Sequence, residues 1–174
     1  MSWREKLLAL RRALPDETLI FVFDVAEPAL EEFVAQTRDM APYLPQSYCD
    51  FLSFTDGAQM DYFVLFGSGQ SQFPPLAKAM DRWRPTVGTL GFVIGEDASG
   101  AAFLIRRDGG VVLVGTDPPD LDQAELVATS FDDLLDQVFM GPRYFDLFPQ
   151  GVRSDNEWVQ LLEKHGWLGR RGES

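Results

Sequence analysis

The 174-residue sequence predicts an α+β fold, with N-terminal helices, a central antiparallel sheet and C-terminal helices in a single domain. Three observations predict it. Helical spacing of apolar residues is concentrated toward the two ends of the chain. Between them lie three strand-like runs, "LGFVIGED", "AAFLIRRD" and "VVLVGTD", divided only by "ASG" and "GG". Connections that short join antiparallel neighbours, since a parallel pair needs a crossover of a dozen residues or more. Finally, a hydrophobic share of 45%, with 14 Phe and 4 Trp, is enough to bury a core at this length.

The elements follow in order. "SWREKLLALRRAL" places Trp3, Leu7, Leu10 and Leu14 at three- and four-residue spacing, with Arg4, Lys6, Arg11 and Arg12 between them. That is an amphipathic helix with one docking face. "TLIFVF" (18–23) is β-branched and aromatic, and reads as a strand or an extended lead-in. "EPALEEFVAQTRDM" reads as a helix with Pro28 in its first turn, Glu27, Glu31 and Glu32 near its N-terminal dipole, and Leu30, Phe33 and Val34 inward. "LPQSYCDFLSFTDG" repeats that plan: Pro45 starts a helix, Tyr48, Phe51 and Leu52 make its stripe, and Asp56-Gly57 ends it. "MDYFVLFGSG" is one compact apolar run ending in glycines, and "PPLAKAMDRW" a short proline-started helix. After the three strands, whose last turn carries the hairpin signal Asp108-Gly109, "GTDPPDLDQAEL" reads as a surface loop. "SFDDLLDQVFM" has Ser130 as N-cap and Phe131, Leu134, Leu135 and Val138 facing in. A last helix, "DNEWVQLLEKHGWL", runs into a basic tail, so the chain divides into an N-terminal helix (1–18), an α+β domain (19–150) and a C-terminal helix and tail (151–174) packed on or beside it.

Charge removes several function classes. A net charge of −12 and a pI near 4.4 exclude phosphate-backbone binding, which requires clustered Lys and Arg. No apolar run approaches the ~20 residues that cross a bilayer. Arg11-Arg12 is not a twin-arginine signal, because Asp16 and Glu17 stand where such a signal is uncharged. A single cysteine makes no internal disulfide, so a cytoplasmic location is expected. No feature sets an oligomeric state.

From about Phe21 to Met140 the order of elements resembles the SUKH superfamily, which includes bacterial toxin-immunity proteins and a yeast regulator of cell-wall synthesis. The resemblance rests on "LPQSYCDFLSFTDG", "FVLFGSG", "LGFVIGEDASGAAFLIRRDGGVVLVGTD" and "SFDDLLDQV". Leu44, Pro45, Tyr48, Phe51, Leu52 and Gly57 occupy the family's main motif, and Gly95 and Gly100 fall in the strand–turn region. Asp56-Gly57 stands where the family commonly has Asn-Gly, and Ala101 and Ala102 where an acidic residue often follows the glycine. The resemblance implies a structural role for the motif and a protein partner for the domain.

The chemistry-bearing residues point the same way. A cysteine nucleophile needs a base to lower its pKa, and the only histidine, His165, lies in the last helix, far from Cys49 in sequence. Cys49 therefore reads as a small buried apolar residue and His165 as a helix C-terminal surface residue. One His and one Cys give no zinc spacing, "GSGQSQ" lacks the third glycine of a dinucleotide loop, and "GEDASGAA" lacks the Lys-Ser/Thr of a phosphate loop. No catalytic residue, metal or cofactor is expected, and the chain reads as a non-enzyme.

What stands out is acid. Asp108, Asp117, Asp120, Asp122, Glu125, Asp132, Asp133 and Asp136 occur between residues 108 and 142 with no Lys, Arg or His among them. The plain reading is a solvated face with helix N-terminal charge. The sharper one is a surface for a basic protein, with Asp117, Asp120, Asp122 and Glu125 on the loop and Glu96 and Asp97 on a neighbouring turn. With the resemblance, the expected function is an immunity protein that binds and neutralises a cognate toxin, possible targets including a basic nuclease domain. A regulatory or scaffolding module with an endogenous partner is the alternative, and a carboxylate-dependent hydrolase a third.

Overall fold

The computed structural model describes residues 1–13, 22–88, 90–116, 122, 124–148, 151–152 and 155–168. Its centre is a seven-stranded antiparallel sheet in which every strand pairs with the next in sequence. The strands are β1 (Phe23–Val25), β2 (Ala58–Met60), β3 (Phe63–Leu65), β4 (Gly91–Glu96), β5 (Ala102–Arg106), β6 (Val111–Val114) and β7 (Glu125–Ala128). Helices α1 (Trp3–Ala13), α2 (Glu31–Met40), α3 (Gln46–Leu52) and α4 (Leu76–Val87) precede β4, and α5 (Phe131–Asp133) and α6 (Glu157–Lys164) follow β7. The expected α+β class is the observed one.

The motif segment is the hub of the core. Tyr48, Phe51 and Leu52 are 0% exposed. The Tyr48 ring meets Phe92 of β4 at 6.1 Å and Phe131 of α5 at 5.1 Å, and Phe51 meets Trp3 of α1 at 5.9 Å. Cys49 is buried with them. In β4 and β5, Phe92, Val93 and Ile94 and then Ala102, Phe103, Leu104 and Ile105 are all buried in succession, so both sheet faces are covered. Aromatics of α3 and the helix after β7 cover one face, as in the Phe103–Phe139 pair at 5.2 Å, which leaves α4, packed along β4, to cover the other. Side chains of α1 (Leu7, Leu10) and α6 (Trp158, Leu162) belong to the same buried cluster, so both terminal helices share one core with the sheet.

Several elements depart from the sequence reading. "MDYFVLFGSG" is not one run but part of a hairpin: β2 and β3 pair Met60 with Phe63, and the chain turns through Asp61 and Tyr62. Asp61 takes φ 55°, a left-handed conformation uncommon outside glycine. Helix α2 begins at Glu31, so Pro28 precedes the helix rather than opening it; Leu30 is exposed, and Val34 and Thr37 are its buried side chains. Helix α3 ends at Leu52 and Ser53; Gly57, with φ 97°, serves instead the turn into β2, where an added Cβ would lie 2.7 Å from Phe73. Gly95 is pinned in the same way, its Cβ position 2.4 Å from the Val64 carbonyl, while Gly100 takes φ 83° in the β4–β5 turn.

The end of "GTDPPDLDQAEL" is not loop: Glu125 opens β7, opposite Leu113. The Ser130 side chain caps α5 from the Asp133 N–H at 3.1 Å, but the helix then widens into a π-helix from Leu134 to Phe139. A 3-10 helix, Pro142–Leu147, follows. Of the strand expected over 18–23, only Phe23 is described as strand; residues 14–21, Asp117, Asp120 and the tail from 169 lie outside the described residues.

Candidate functional site

Several acids of the 108–142 stretch meet bases that lie outside it in sequence. Asp133 receives the Arg143 guanidinium at 3.0 Å, and the same group reaches Asp146 at 3.2 Å and the Val127 carbonyl at 2.7 Å. Asp108 pairs with Arg106 within its own turn. Asp132 accepts the Trp3 indole N–H at 2.8 Å. Asp136 lies beside Lys6, whose buried ammonium donates to the Asp136 and Met140 carbonyls, both at 2.7 Å. These are carbonyls at the C-terminal end of the π-helix. Burial pushes the Asp136 carboxyl up and the Lys6 ammonium down, each opposed by the other's charge.

Of the expected partner residues, Glu96, Asp97, Asp122 and Glu125 lie among the described residues. Glu96 is the last residue of β4 rather than a turn residue and pairs with Arg82 at 3.3 Å. Asp97 spends one carboxylate oxygen on its own turn, accepting from the Ser99 N–H and hydroxyl and the Ala101 N–H. Asp122 and Glu125 are exposed.

Two acids that the sequence did not single out for chemistry are the buried ones. Asp56, 3% exposed, accepts the Ser68 N–H at 2.6 Å and the Ser68 hydroxyl at 2.7 Å. It thereby ties "GSGQSQ" to the end of the motif as a structural loop.

Asp61, 4% exposed, lies where three segments meet. Its carboxylate accepts the Tyr144 hydroxyl from the 3-10 helix and the Asn156 amide at 3.5 Å. Asn156 is itself the N-cap of α6, its Oδ1 accepting the Val159 N–H at 2.9 Å. Burial raises the Asp61 pKa above the usual carboxylate range, against hydrogen bonds that lower it, and burial likewise raises that of Tyr144.

Beside this group opens a cleft of about 430 Å³, lined by Val22, Asp61, Tyr62, Phe148, Gly151, Val152, Asp155, Asn156 and Glu157. Tyr62 is half exposed, with its ring edge-on to Phe148 at 6.2 Å. A buried carboxyl of raised pKa at a cleft, on a backbone of positive φ, is the most distinctive chemical arrangement among the described residues. Only its Asp-Tyr turn was local in sequence; Tyr144 and Asn156 come from 83 and 95 residues away.

The chain matches no protein-family model and no curated protein. Among the described residues, no group of three His, Cys, Asp or Glu side chains is arranged to hold a metal ion, and no helix is long and apolar enough to cross a membrane.

Proposed function

We propose that the chain is a non-enzymatic, SUKH-like protein-binding domain that acts as an immunity protein, using an acidic surface to bind and neutralise a basic cognate toxin. One observation carries the proposal. Among the described residues only Asp56 and Asp61 are buried acids, so the other described carboxylates of this −12 chain face solvent in whole or in part. An acidic surface of this kind raises the encounter rate with a basic protein and repels nucleic acid and acidic competitors. The resemblance carried by Leu44, Pro45, Tyr48, Phe51, Leu52 and Gly57 supplies the toxin as the class of partner. The core position of Tyr48, Phe51 and Leu52 is consistent with their structural role in that reading.

The test is to search the genes beside this one for a toxin domain, to co-express any that is found, and then to measure association kinetics. Growth rescue and a stable complex are expected. Association should slow with added salt, and slow further when Asp117, Asp120, Asp122 and Glu125 are replaced by Asn and Gln, with dissociation changed less. Toxicity unaffected by the protein would defeat the immunity reading. Equal rates and equal salt slopes for both proteins would defeat the acidic-loop interface.

A further inference from the structure

The cleft beside Asp61 is built from groups that suit one kind of ligand. We infer that it is a binding site for an alkylammonium or alkylguanidinium group, whether the end of a lysine or arginine side chain or a free amine. This goes beyond the proposed function, because it depends on the chemistry of the cleft and not on the identity of any partner.

The walls fit the ligand's stem. Val22, Val152 and Phe148 supply apolar surface for an aliphatic chain, and the half-exposed Tyr62 supplies an aromatic ring for the cation. The polar end fits its charge. An ionised carboxylate has about four acceptor positions. Among the described residues, Asp61 accepts from the Tyr144 hydroxyl, the Asn156 amide and the Tyr62 backbone N–H. Among the described residues, the lining contains no Lys, Arg or His.

The choice of aspartate at this turn is itself informative. Glycine or asparagine satisfies a positive φ in a two-residue hairpin turn without burying a carboxyl group. Here a carboxyl group is buried to 4% exposure at φ 55°, beside an open cleft. The turn's geometry does not require that acid, which joins the 3-10 helix and the α6 cap and borders the cleft.

The charged and titratable groups around it define a pH signature. Facing Asp61 are the Tyr144 hydroxyl from the 3-10 helix, Tyr62 from its own turn, and Asp155 and Glu157 from the entry to α6. Burial favours the protonated Asp61 and a bound cation favours the ionised form, so binding releases a proton and tightens as pH rises.

The experiment is an NMR titration of the full chain with n-butylguanidinium, with a short neutral-capped peptide containing one arginine, and with n-butanol as the uncharged control. Saturable shifts confined to Tyr62, Phe148, Val152 and Asn156 are expected with the first probe, the second or both, but not with butanol. Saturation by the peptide alone identifies a macromolecular side chain as the ligand, and saturation by the free guanidinium alone identifies a small amine. Affinity should fall about tenfold or more in Asp61→Asn, the scale of one charge-assisted hydrogen bond, and should also fall in Tyr62→Ala. Tyr62→Ala changes an exposed wall residue and decides the matter if Asp61→Asn does not fold. Shifts that fail to saturate, that spread over the surface carboxylates, or that persist unchanged in the Tyr62→Ala protein overturn the inference.

Discussion

Replacing Phe51 by alanine tests the centre of this fold. The side chain is 0% exposed and is held edge-on by Trp3 at 5.9 Å and by Phe131 at 5.5 Å, so α1, α3 and α5 all lean on one ring. Losing its burial removes about 2–3 kcal/mol of transfer free energy. Space left unfilled costs about 24 cal/mol per Å³, so a residual cavity of ~80 Å³ adds ~2 kcal/mol. The sum, about 4–5 kcal/mol, lies at the upper end of large-to-small core changes because three separate helices would have to move together to close the gap. For a domain of this size it lowers Tm by about 8–20 °C, taking ~2–4 °C per kcal/mol. Urea unfolding of wild type, Phe51→Leu and Phe51→Ala should give a graded fall in midpoint at constant m. The leucine variant should lose less because it fills more of the cavity. A Phe51→Ala loss below ~1 kcal/mol at unchanged m would refute the placement of Phe51 in the core.

Two further outcomes follow from single side chains. Arg143→Ala should cost about 1–2 kcal/mol, less than a fully buried set of charged hydrogen bonds because the side chain is 39% exposed. Arg143→Lys should recover little of that, since an ammonium cannot span Asp133, Asp146 and the Val127 carbonyl together; chemical unfolding of the three proteins checks both statements. Asp61 has a folded-state pKa raised above its unfolded value, so its contribution is fully present below the unfolded pKa and is lost as pH rises through the folded pKa. The stability of Asp61→Asn relative to wild type should therefore improve as pH rises from the acid range toward neutrality. A difference independent of pH would show that Asp61 titrates alike in both states.

What the sequence disclosed was local. Tyr48, Phe51 and Leu52 at helical spacing, the Ser130 cap and the Asp108-Gly109 turn each declare themselves within a few residues, and the elements they mark are present. The β2–β3 hairpin stayed hidden because its turn, Asp61-Tyr62, contains no glycine or asparagine to signal a positive φ. Strand β7 was missed because only its last two residues, Val127 and Ala128, are buried, so it lacks the alternating pattern. Lys6 looked like part of a solvated helix face, yet its ammonium is taken up by carbonyls 130 and 134 residues away. For Asp133 and Asp136 the lack of an opposing base within 108–142 was a property of the chain order, since Arg143 stands one residue past that window and Lys6 near the N-terminal end of the sequence. Asp61 followed the same rule: a carboxyl becomes buried and perturbed through partners that a linear reading does not bring together.

The docking of α1 sets an order of events during synthesis. Among the described strands all six pairings join consecutive strands, so the sheet can zip up progressively as the chain emerges, with longer connections only where α2, α3 and α4 intervene. Helix α1 also needs contacts much farther along the chain. Trp3 waits for Asp132, and Lys6 waits for Asp136 and Met140. At ~5–20 residues per second, the ~130 residues between them take about 6–26 s of translation, in which Trp3 can already rest on Phe51 and Phe54 but lacks the acceptors that fix it. Over that interval α1 is only partly docked, and its apolar stripe stays open to chaperones and to other nascent chains.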